Sequence, residues 1–328
     1  MKVLIVTYHR LDLWIAPEWF VERLRKEFPQ CEVVRLTSYD GIGGELADAE
    51  ILLTQSLRPE QFRVARKLRW IHSPAAAVHQ FLFPELVKSD VILTNAREVH
   101  GPVVAEHVIA LMFALAKRIP EDVRNQQKHV WAQEQLWLQG KCPREVAGAT
   151  VGLVGLGSIG RNVAKRASGL GMNVIAVREH PERPKPEFVD EVVPTTGLNE
   201  MLGRSDYVVL SPPLTPATRG IISRDQFAAM KSDGYLINVG RGLLIDEEAL
   251  QKALREHKIA GAALDVFDKE PLPADSPLWD LDDLLITPHT AGMTGKLWER
   301  HYVLFSENLR RYLAGEPLLA QVDKKLGY

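Results

Sequence analysis

The chain contains little cysteine and little excess charge. Only two of its 328 residues are cysteines, Cys31 and Cys142, and two distant cysteines make neither a metal-binding pattern nor a disulfide framework. The formal net charge is −2, which creates no basic surface for nucleic acid. We therefore expect no metal site, no nucleic-acid partner and a reducing compartment.

Long apolar runs are also missing. The first seven residues form a short strand-like segment and no secretion signal, and no uninterrupted apolar run reaches the ~20 residues of a membrane span. Hydrophobic residues make up 46% and charged residues 25% of the chain, which is usual for globular proteins. The length suits two cores better than one, so we expect a cytoplasmic two-domain protein with no membrane partner.

The most informative segment is a glycine turn between an apolar strand and a helix. Residues 151–160 are VGLVGLGSIG, residues 161–168 have helical character, and a second apolar strand follows at 173–177. Gly155 permits a tight turn, Gly157 lets the backbone approach phosphates, and Gly160 lets the helix pack on the strand. Because a helix N-terminus offers N–H groups to an anion, this order predicts dinucleotide binding.

The residue after the second strand bears on which dinucleotide is bound. The NAD pattern has an acidic residue there, which bonds the ribose hydroxyls. This chain has Arg178, and a guanidinium suits a 2′-phosphate. A shift of one residue would place Glu179 there and restore the NAD pattern. The sequence favours NADP(H), with NAD(H) as the alternative.

Strands and helices alternate along two stretches of the chain. Before the glycine turn the pattern predicts a helix at 17–28 and strands at 2–7, 32–36, 51–54, 70–72 and 91–94. After it, further strands are predicted at 191–193, 207–210, 235–238, 260–264 and 284–287. An apolar helix over 101–116, with Pro102 near its start, is expected to lie buried between the domains, and a last helix is expected near 296–313.

This alternation predicts an α/β fold with two Rossmann-like doubly wound domains. A flavodoxin-like substrate domain is expected to be discontinuous, with residues 1–98 and 290–328. The NAD(P)-binding domain is expected at residues 99–289.

Three polar residues follow predicted strands in the second half of the chain. Arg241 can fork to a carboxylate and still reach a neighbouring carbonyl oxygen. Glu270 can hold the imidazole of His289 in one tautomer and favour its protonated form, so that it donates a proton near neutral pH. Taken alone, Arg241 is also compatible with a helix-capping ion pair, and His289 with an ordinary loop residue.

Together these residues and their surroundings resemble the D-isomer-specific 2-hydroxyacid dehydrogenase family. The matching segments are PLTPATR from residue 213, NVGRG from 238, GAALDVF from 261, EPLP from 270, SPLW from 276 and TPHTAG from 287. The segments TNAR from 94 and VAEH from 104 resemble the family's crossing between its domains. The resemblance covers nearly the whole chain.

The resemblance implies hydride transfer between nicotinamide C4 and C2 of a small 2-keto or 2-hydroxy acid, with D specificity. Arg241 would hold the substrate carboxylate and polarise the keto oxygen. His289 would be the general acid in reduction, oriented by Glu270, and Asp265 would contact the nicotinamide end. The other implied cofactor contacts are Ser158, Ile159, Pro213, Thr218, Val239 and Gly240.

The family's substrate loop binds the carboxylate through backbone N–H groups, usually around a glycine. Residues 71–79 of this chain are IHSPAAAVH, so alanine replaces that glycine, and Ala76 and Ala77 are the expected donors. Phosphoglycerate-type members tend to carry an arginine near the position of Gln55 and an appended regulatory domain. Neither is seen here, which favours glyoxylate or hydroxypyruvate.

A homodimer is expected, with residues 120–150 as its dimerisation segment. Residues 135–140, QLWLQG, resemble a segment of glyoxylate/hydroxypyruvate reductases in which a tryptophan reaches the partner subunit's site. An apolar dimer contact for Trp137 is the alternative. For the whole chain the alternatives are a D-3-phosphoglycerate, formate or phosphite dehydrogenase, or a non-catalytic NAD(H)-sensing module like the C-terminal-binding corepressors.

Overall fold

A computed structural model describes residues 1–140 and 142–327. The chain divides into two compact units, one formed by Met1–His100 with the chain from Met293 onward, the other by Gly101–Gly292. The predicted boundaries, after residues 98 and 289, differ from these by two and three residues. The predicted segments 120–150 and 290–328 include Lys141 and Tyr328, which lie outside the described residues.

The first unit contains a five-stranded parallel sheet. Its strands are β1 (Lys2–Val6), β2 (Glu32–Leu36), β3 (Ile51–Thr54), β4 (Trp70–Ser73) and β5 (Ile92–Asn95), in the order β2-β1-β3-β4-β5. The helices between them are α1 (Glu18–Glu27), α2 (Ile42–Asp48), α3 (Pro59–Val64) and α4 (Pro84–Val87). This is the flavodoxin-like strand order.

Both faces of this sheet are covered, which explains why its strands are apolar throughout. Side chains alternate between the faces of a strand. Val3 and Ile5 of β1 therefore join one buried cluster, and Leu4 and Val6 join another.

The boundary between the units falls inside α5 (Arg97–Ala116). The sequence placed Pro102 near the start of this helix, but the helix begins at Arg97, so Pro102 lies inside it and costs one backbone hydrogen bond of its first turns. In the described part of the chain, α5 alone is long and apolar enough to cross a membrane by length and composition, and half of that stretch is buried. Buried core helices also meet this criterion, and Val108 and Met112 do pack in the core of the second unit.

The second unit contains a seven-stranded parallel sheet. Its strands are β6 (Thr150–Val154), β7 (Asn173–Val177), β8 (Glu191–Val193), β9 (Tyr207–Leu210), β10 (Tyr235–Asn238), β11 (Gly261–Leu264) and β12 (Leu284–Ile286). The helices are α6 (Ile119–Gln127), α7 (Gln133–Leu138), α8 (Ser158–Gly169), α9 (Leu198–Arg204), α10 (Arg224–Ala229) and α11 (Glu247–Arg255).

The strand order of this sheet is β12-β11-β10-β9-β6-β7-β8. It reverses direction between β6 and β9, as in a Rossmann fold, and ligands of such sheets bind at the carboxyl ends of the strands near this point. Along β9, Tyr207 and Val209 enter one buried cluster and Val208 and Leu210 the other. The predicted α/β fold with two doubly wound domains is confirmed.

The last helix, α12 (Leu297–Ala314), packs in the first unit. Its aromatic residues Tyr302 and Phe305 lie 5.5 Å and 6.0 Å from the ring of Phe20. Beyond α12, Gln321 pairs with Thr94 at the free edge of β5. The C-terminal chain therefore protects this edge of the five-stranded sheet.

Candidate active site

The glycine turn joins β6 to α8 and has the geometry that a pyrophosphate requires. Gly155 has a φ of +97°, and a Cβ at Gly160 would lie 2.1 Å from the Gly155 oxygen, so both positions exclude side chains. Around the Cβ position of Gly157, by contrast, no atom of the described residues other than Gly157 and its two chain neighbours lies within 4 Å. Because Gly157 is also the N-cap of α8, an anion can approach the backbone here.

The other predicted cofactor residues follow neighbouring strands. Ser158 and Ile159 form the first turn of α8, after β6. After β9, the Thr218 hydroxyl donates to the Pro213 oxygen at 2.7 Å and closes that loop. Val239 and Gly240 directly follow β10. Since β6, β9 and β10 are adjacent and parallel, all of these residues lie at one edge of the sheet.

Arg178 follows β7 and is held by its own loop. Its guanidinium donates to the backbone oxygens of Pro181 and Pro184, both at 3.4 Å, and to that of Arg183. Its Nε atom is buried and has no hydrogen-bond partner among the described residues. Glu179 is exposed. The loop after β7 therefore wraps around the Arg178 guanidinium, at the position where the NAD pattern has an acidic residue.

Arg241 follows β10 in an extended conformation. The Asn238 side chain donates to its carbonyl oxygen at 2.9 Å, and the Arg241 Nη1 donates to the Gly240 oxygen at 2.6 Å. Burial lowers the pKa of the guanidinium, and the nearby charge of Glu270 raises it. A Cβ at Gly242 would lie 1.9 Å from a Phe267 backbone atom, so the chain beyond Arg241 touches the loop that carries Glu270.

Glu270 and His289 form a close pair. The Nδ1–H of His289 donates to Glu270 Oε2 at 2.6 Å, while Glu270 Oε1 accepts from the Phe267 N–H at 3.0 Å. A carboxylate at Nδ1 assigns the tautomer and leaves Nε2 to carry the exchangeable proton. The His289 side chain is 51% exposed, so Nε2 can reach a substrate. This is the geometry of an oriented general acid.

Asp265 directly follows β11 and is 1% exposed. Its carboxylate accepts hydrogen bonds from the Thr287 hydroxyl at 2.6 Å and from the N–H groups of Thr290 at 2.9 Å and Ala291 at 3.0 Å. These three residues stand on both sides of His289, which has a φ of +54°, unusual for a residue other than glycine. Asp265 therefore holds the loop that presents the imidazole.

Asp265, its three partners and His107 form a clamp that holds the His289 loop. His107 and Thr287 were not predicted from the sequence as members of this clamp. His107 of α5 has Nε2 at 3.1 Å from the Thr287 hydroxyl and 3.6 Å from Asp265 Oδ1. Thr287 can accept from His107 and donate to Asp265. The signal available in the sequence was a threonine on either side of the histidine, because such hydroxyls bond nearby carboxylates and backbone.

Ala76 and Ala77 belong to the first unit, in the loop after β4. The side chain of Asn95 donates to the Ala76 oxygen at 2.6 Å, and the Ala96 N–H donates to the Ala75 oxygen at 3.2 Å. Asn95 was not predicted from the sequence as a residue of the site. An asparagine at the last residue of a strand that neighbours β4 is the signal that could have found it.

Arg241, Glu270 and His289 lie at the ends of β10 to β12, on the same edge of the sheet as the glycine turn. A cation and a proton donor at one edge can stabilise the negative oxygen that forms when a carbonyl is reduced. The resemblance assigns the contact with the nicotinamide end to Asp265, and this role stays a prediction.

Comparison with known proteins agrees with this geometry. Residues 109–291 match the sequence profile of the NAD binding domain of D-isomer specific 2-hydroxyacid dehydrogenases. A glyoxylate reductase of Korarchaeum cryptofilum is 36% identical over 270 residues, 81% of this chain and 79% of the relative. A D-3-phosphoglycerate dehydrogenase of Methanocaldococcus jannaschii is 34% identical over 302 residues, 90% of this chain but 55% of the relative. The chain thus spans about half the length of that relative.

A solved structure covers the full length. The NADPH-dependent glyoxylate/hydroxypyruvate reductase of Sinorhizobium meliloti, in complex with NADP and sulfate, superimposes with a TM-score of 0.83 at 27% identity and covers 100% of both chains. The predicted class, a nicotinamide-dependent oxidoreductase family acting on 2-hydroxy acids, is confirmed. By profile, relatives and fold, the chain belongs to the D-isomer specific 2-hydroxyacid dehydrogenase family.

Proposed function

We propose that this protein reduces a small 2-keto acid of the glyoxylate or hydroxypyruvate type, with NADP(H) and D specificity. The observation that carries the proposal is the hydrogen-bonded pair of Glu270 and His289 at the sheet edge that also holds Arg241. Relatives that bear the name glyoxylate reductase support this choice of substrate.

When bound, the nicotinamide supplies the hydride that the substrate C2 receives. Arg241 binds the carboxylate and polarises the keto oxygen, since a buried guanidinium gains strongly from an anionic partner. His289 Nε2 donates the proton to that oxygen, and Glu270 keeps the imidazole oriented through Nδ1. The family resemblance assigns carboxylate binding to the N–H groups of Ala76 and Ala77 in the first unit as well.

The test is a substrate panel with the purified chain. Nicotinamide absorbance is followed with glyoxylate, hydroxypyruvate, pyruvate and 3-phosphohydroxypyruvate, and with formate and phosphite in the oxidative direction. The proposal expects turnover with glyoxylate or hydroxypyruvate above that with 3-phosphohydroxypyruvate. Cofactor binding without turnover of any substrate would favour the sensing module instead. Oxidation of formate or phosphite alone would indicate those dehydrogenases.

NADP(H) is the proposed cofactor because Arg178 stands after β7, where the NAD pattern has an acidic residue that bonds the ribose hydroxyls. Its present bonds to backbone oxygens are mostly long, at 3.4 Å, and a 2′-phosphate would replace them with shorter charge-assisted bonds. The S. meliloti structure holds NADP. Glu179, which is exposed beside it, is the residue that would favour NAD(H).

A homodimer is the proposed assembly. Several large apolar side chains of the segment around α6 and α7 are exposed, with Trp131 at 85%, Trp137 at 74% and Leu138 at 75%. A second copy of the chain would remove this surface from water. Trp137 then either packs in that interface or reaches the partner's site. The cytoplasm is the proposed location, supported by the low cysteine content.

A further inference from the structure

Asn95 is a buried, tightly held amide at the end of β5. Its residue is 2% exposed, and its backbone N–H donates to the Ala320 oxygen at 3.1 Å. Its Oδ1 accepts from the Arg97 N–H at 3.4 Å, which leaves Nδ2 to donate to the Ala76 oxygen at 2.6 Å. Both ends of the side-chain amide are thus engaged, and its orientation follows from these partners.

In the neighbouring loop after β4, the carbonyl oxygens of two successive peptide units accept hydrogen bonds. The Ala75 oxygen accepts from the Ala96 N–H at 3.2 Å, and the Ala76 oxygen accepts from Asn95. The preceding N–H, that of Ala75, donates to Ser73 Oγ at 3.2 Å. Two consecutive carbonyls therefore face the same place, the junction of β5 and α5.

The N–H groups of these peptide units face the other way. In a trans peptide the N–H is directed opposite to the C=O, so anchoring the Ala75 and Ala76 oxygens directs the N–H groups of Ala76 and Ala77 away from Asn95 and Ala96. Neither N–H donates to any atom of residues 1–140 or 142–327. Two neighbouring N–H groups that both face away from Asn95 and Ala96 and have no partner among the described residues can bind an anion.

This loop has alanine at the position where the family usually has glycine, and alanine reaches fewer backbone conformations than glycine. Its conformation depends on the partners of its carbonyls. We propose that Asn95 is a positioning residue for substrate binding: by holding the Ala76 oxygen, it presents the Ala77 N–H to the substrate carboxylate. The inference rests on the proposed function and assigns the anchor that function requires.

The first test is Asn95→Leu, which keeps the side-chain volume and removes the donor. We expect KM for glyoxylate and Ki for oxamate to rise about 10- to 100-fold, because charge-assisted hydrogen bonds to the carboxylate are weakened. Turnover of methyl glyoxylate, which has no carboxylate charge, should change much less. The dissociation constant of NADPH should stay unchanged.

Asn308→Leu is the matched control. Asn308 is also a buried asparagine of the first unit, and it bonds the Leu319 backbone at 3.1 Å and 2.7 Å. Both variants should lower Tm, but only Asn95→Leu should raise KM and Ki. Equal shifts in the two variants, or a lower Tm with unchanged KM in Asn95→Leu, would overturn the inference while the activity stands.

Asn95→Asp decides the question if Asn95→Leu does not fold. A protonated carboxyl can still donate to the Ala76 oxygen and an ionised one cannot. The ratio of its KM to that of wild type at the same pH should therefore increase as pH rises. A ratio that is independent of pH would contradict the inference. If the wild-type chain reduces no 2-keto acid, the proposed function and the inference both fail.

Discussion

Asp265→Asn separates two roles for this carboxylate, holding the His289 loop and contacting the cofactor. The substitution preserves shape but replaces one acceptor oxygen by an NH2 group. Whichever way the amide turns, at least one of the N–H groups of Thr290 and Ala291 then faces a donor, since Oδ1 and Oδ2 each accept from one of them. A backbone N–H left without an acceptor costs about 1–3 kcal/mol.

The consequence for activity follows from the position of His289 between the anchored residues. If the loop relaxes, the imidazole leaves its productive position, and general acid catalysis contributes about 10²–10⁴-fold. We expect kcat for glyoxylate to fall by about 10²-fold or more, with a Tm several degrees lower at roughly 2–4 °C per kcal/mol. KM for NADPH should change little if the loop is the main partner of Asp265.

The assay is steady-state reduction with each reactant varied, together with direct measurement of NADPH binding. Thr287→Val is the control, because it removes one of the three bonds to Asp265 and keeps both backbone bonds. It should lower kcat less than Asp265→Asn. A normal kcat in Asp265→Asn would show that Asp265 does not hold the His289 loop in its productive position. A normal kcat with a large rise in the Kd of NADPH would instead assign the carboxylate to the cofactor.

Four further outcomes test the remaining parts of the site and the fold. His289→Gln should lower kcat by about 10²–10⁴-fold with little change in cofactor Kd, and wild-type turnover would exclude His289 as the acid. Arg241→Lys should impair both KM and kcat because an ammonium cannot make the fork; an unchanged kcat/KM would leave Arg241 a structural role. Arg178→Asp should reverse a preference for NADPH over NADH at fixed ionic strength, whereas a wild-type preference for NADH would point to Glu179. Burial lowers the pKa of His72 to about 3, so below the usual value near 6.5 only the unfolded state binds the proton. The free energy of unfolding should therefore fall as pH drops from about 6.5 toward 3, by about 1.4 kcal/mol per pH unit. Denaturant titrations should show that the free energy of unfolding depends less steeply on pH in His72→Leu than in wild type.

The strands could be predicted well because buried parallel strands are short apolar runs between turn residues. The predicted strands at 173–177, 207–210 and 235–238 have the observed bounds. The start of α5 was wrong by one turn. Pro102 suggested a first helical turn, but the polar residues from Arg97 already belong to the helix, because a helix tolerates an inner proline at the cost of one bond.

Arg241, Glu270 and His289 could be chosen from the sequence because each follows a predicted strand of one parallel sheet, whose carboxyl ends share an edge. The bond between Glu270 and His289 was also predicted and is present, but the other hydrogen bonds that hold the loops of the site could not be predicted. Asp265 contacts residues 22 to 26 positions away, and Asn95 contacts one 19 positions back. Such pairings depend on which strands are neighbours and on register, which composition and spacing do not determine.

The two loops that present His289 and Ala77 have no regular secondary structure, so their backbone groups need partners from elsewhere. Asp265 supplies acceptors to one loop, and Asn95 supplies a donor to the other. Both are buried at the last position of a strand or next to it, where the sheet itself holds them rigid. A search for acids, bases and nucleophiles passes over such residues, since neither needs to change its protonation state. In this fold, buried Asp and Asn at strand ends therefore deserve the same experimental scrutiny as the charged residues on the loops, because the position of the reacting groups depends on them.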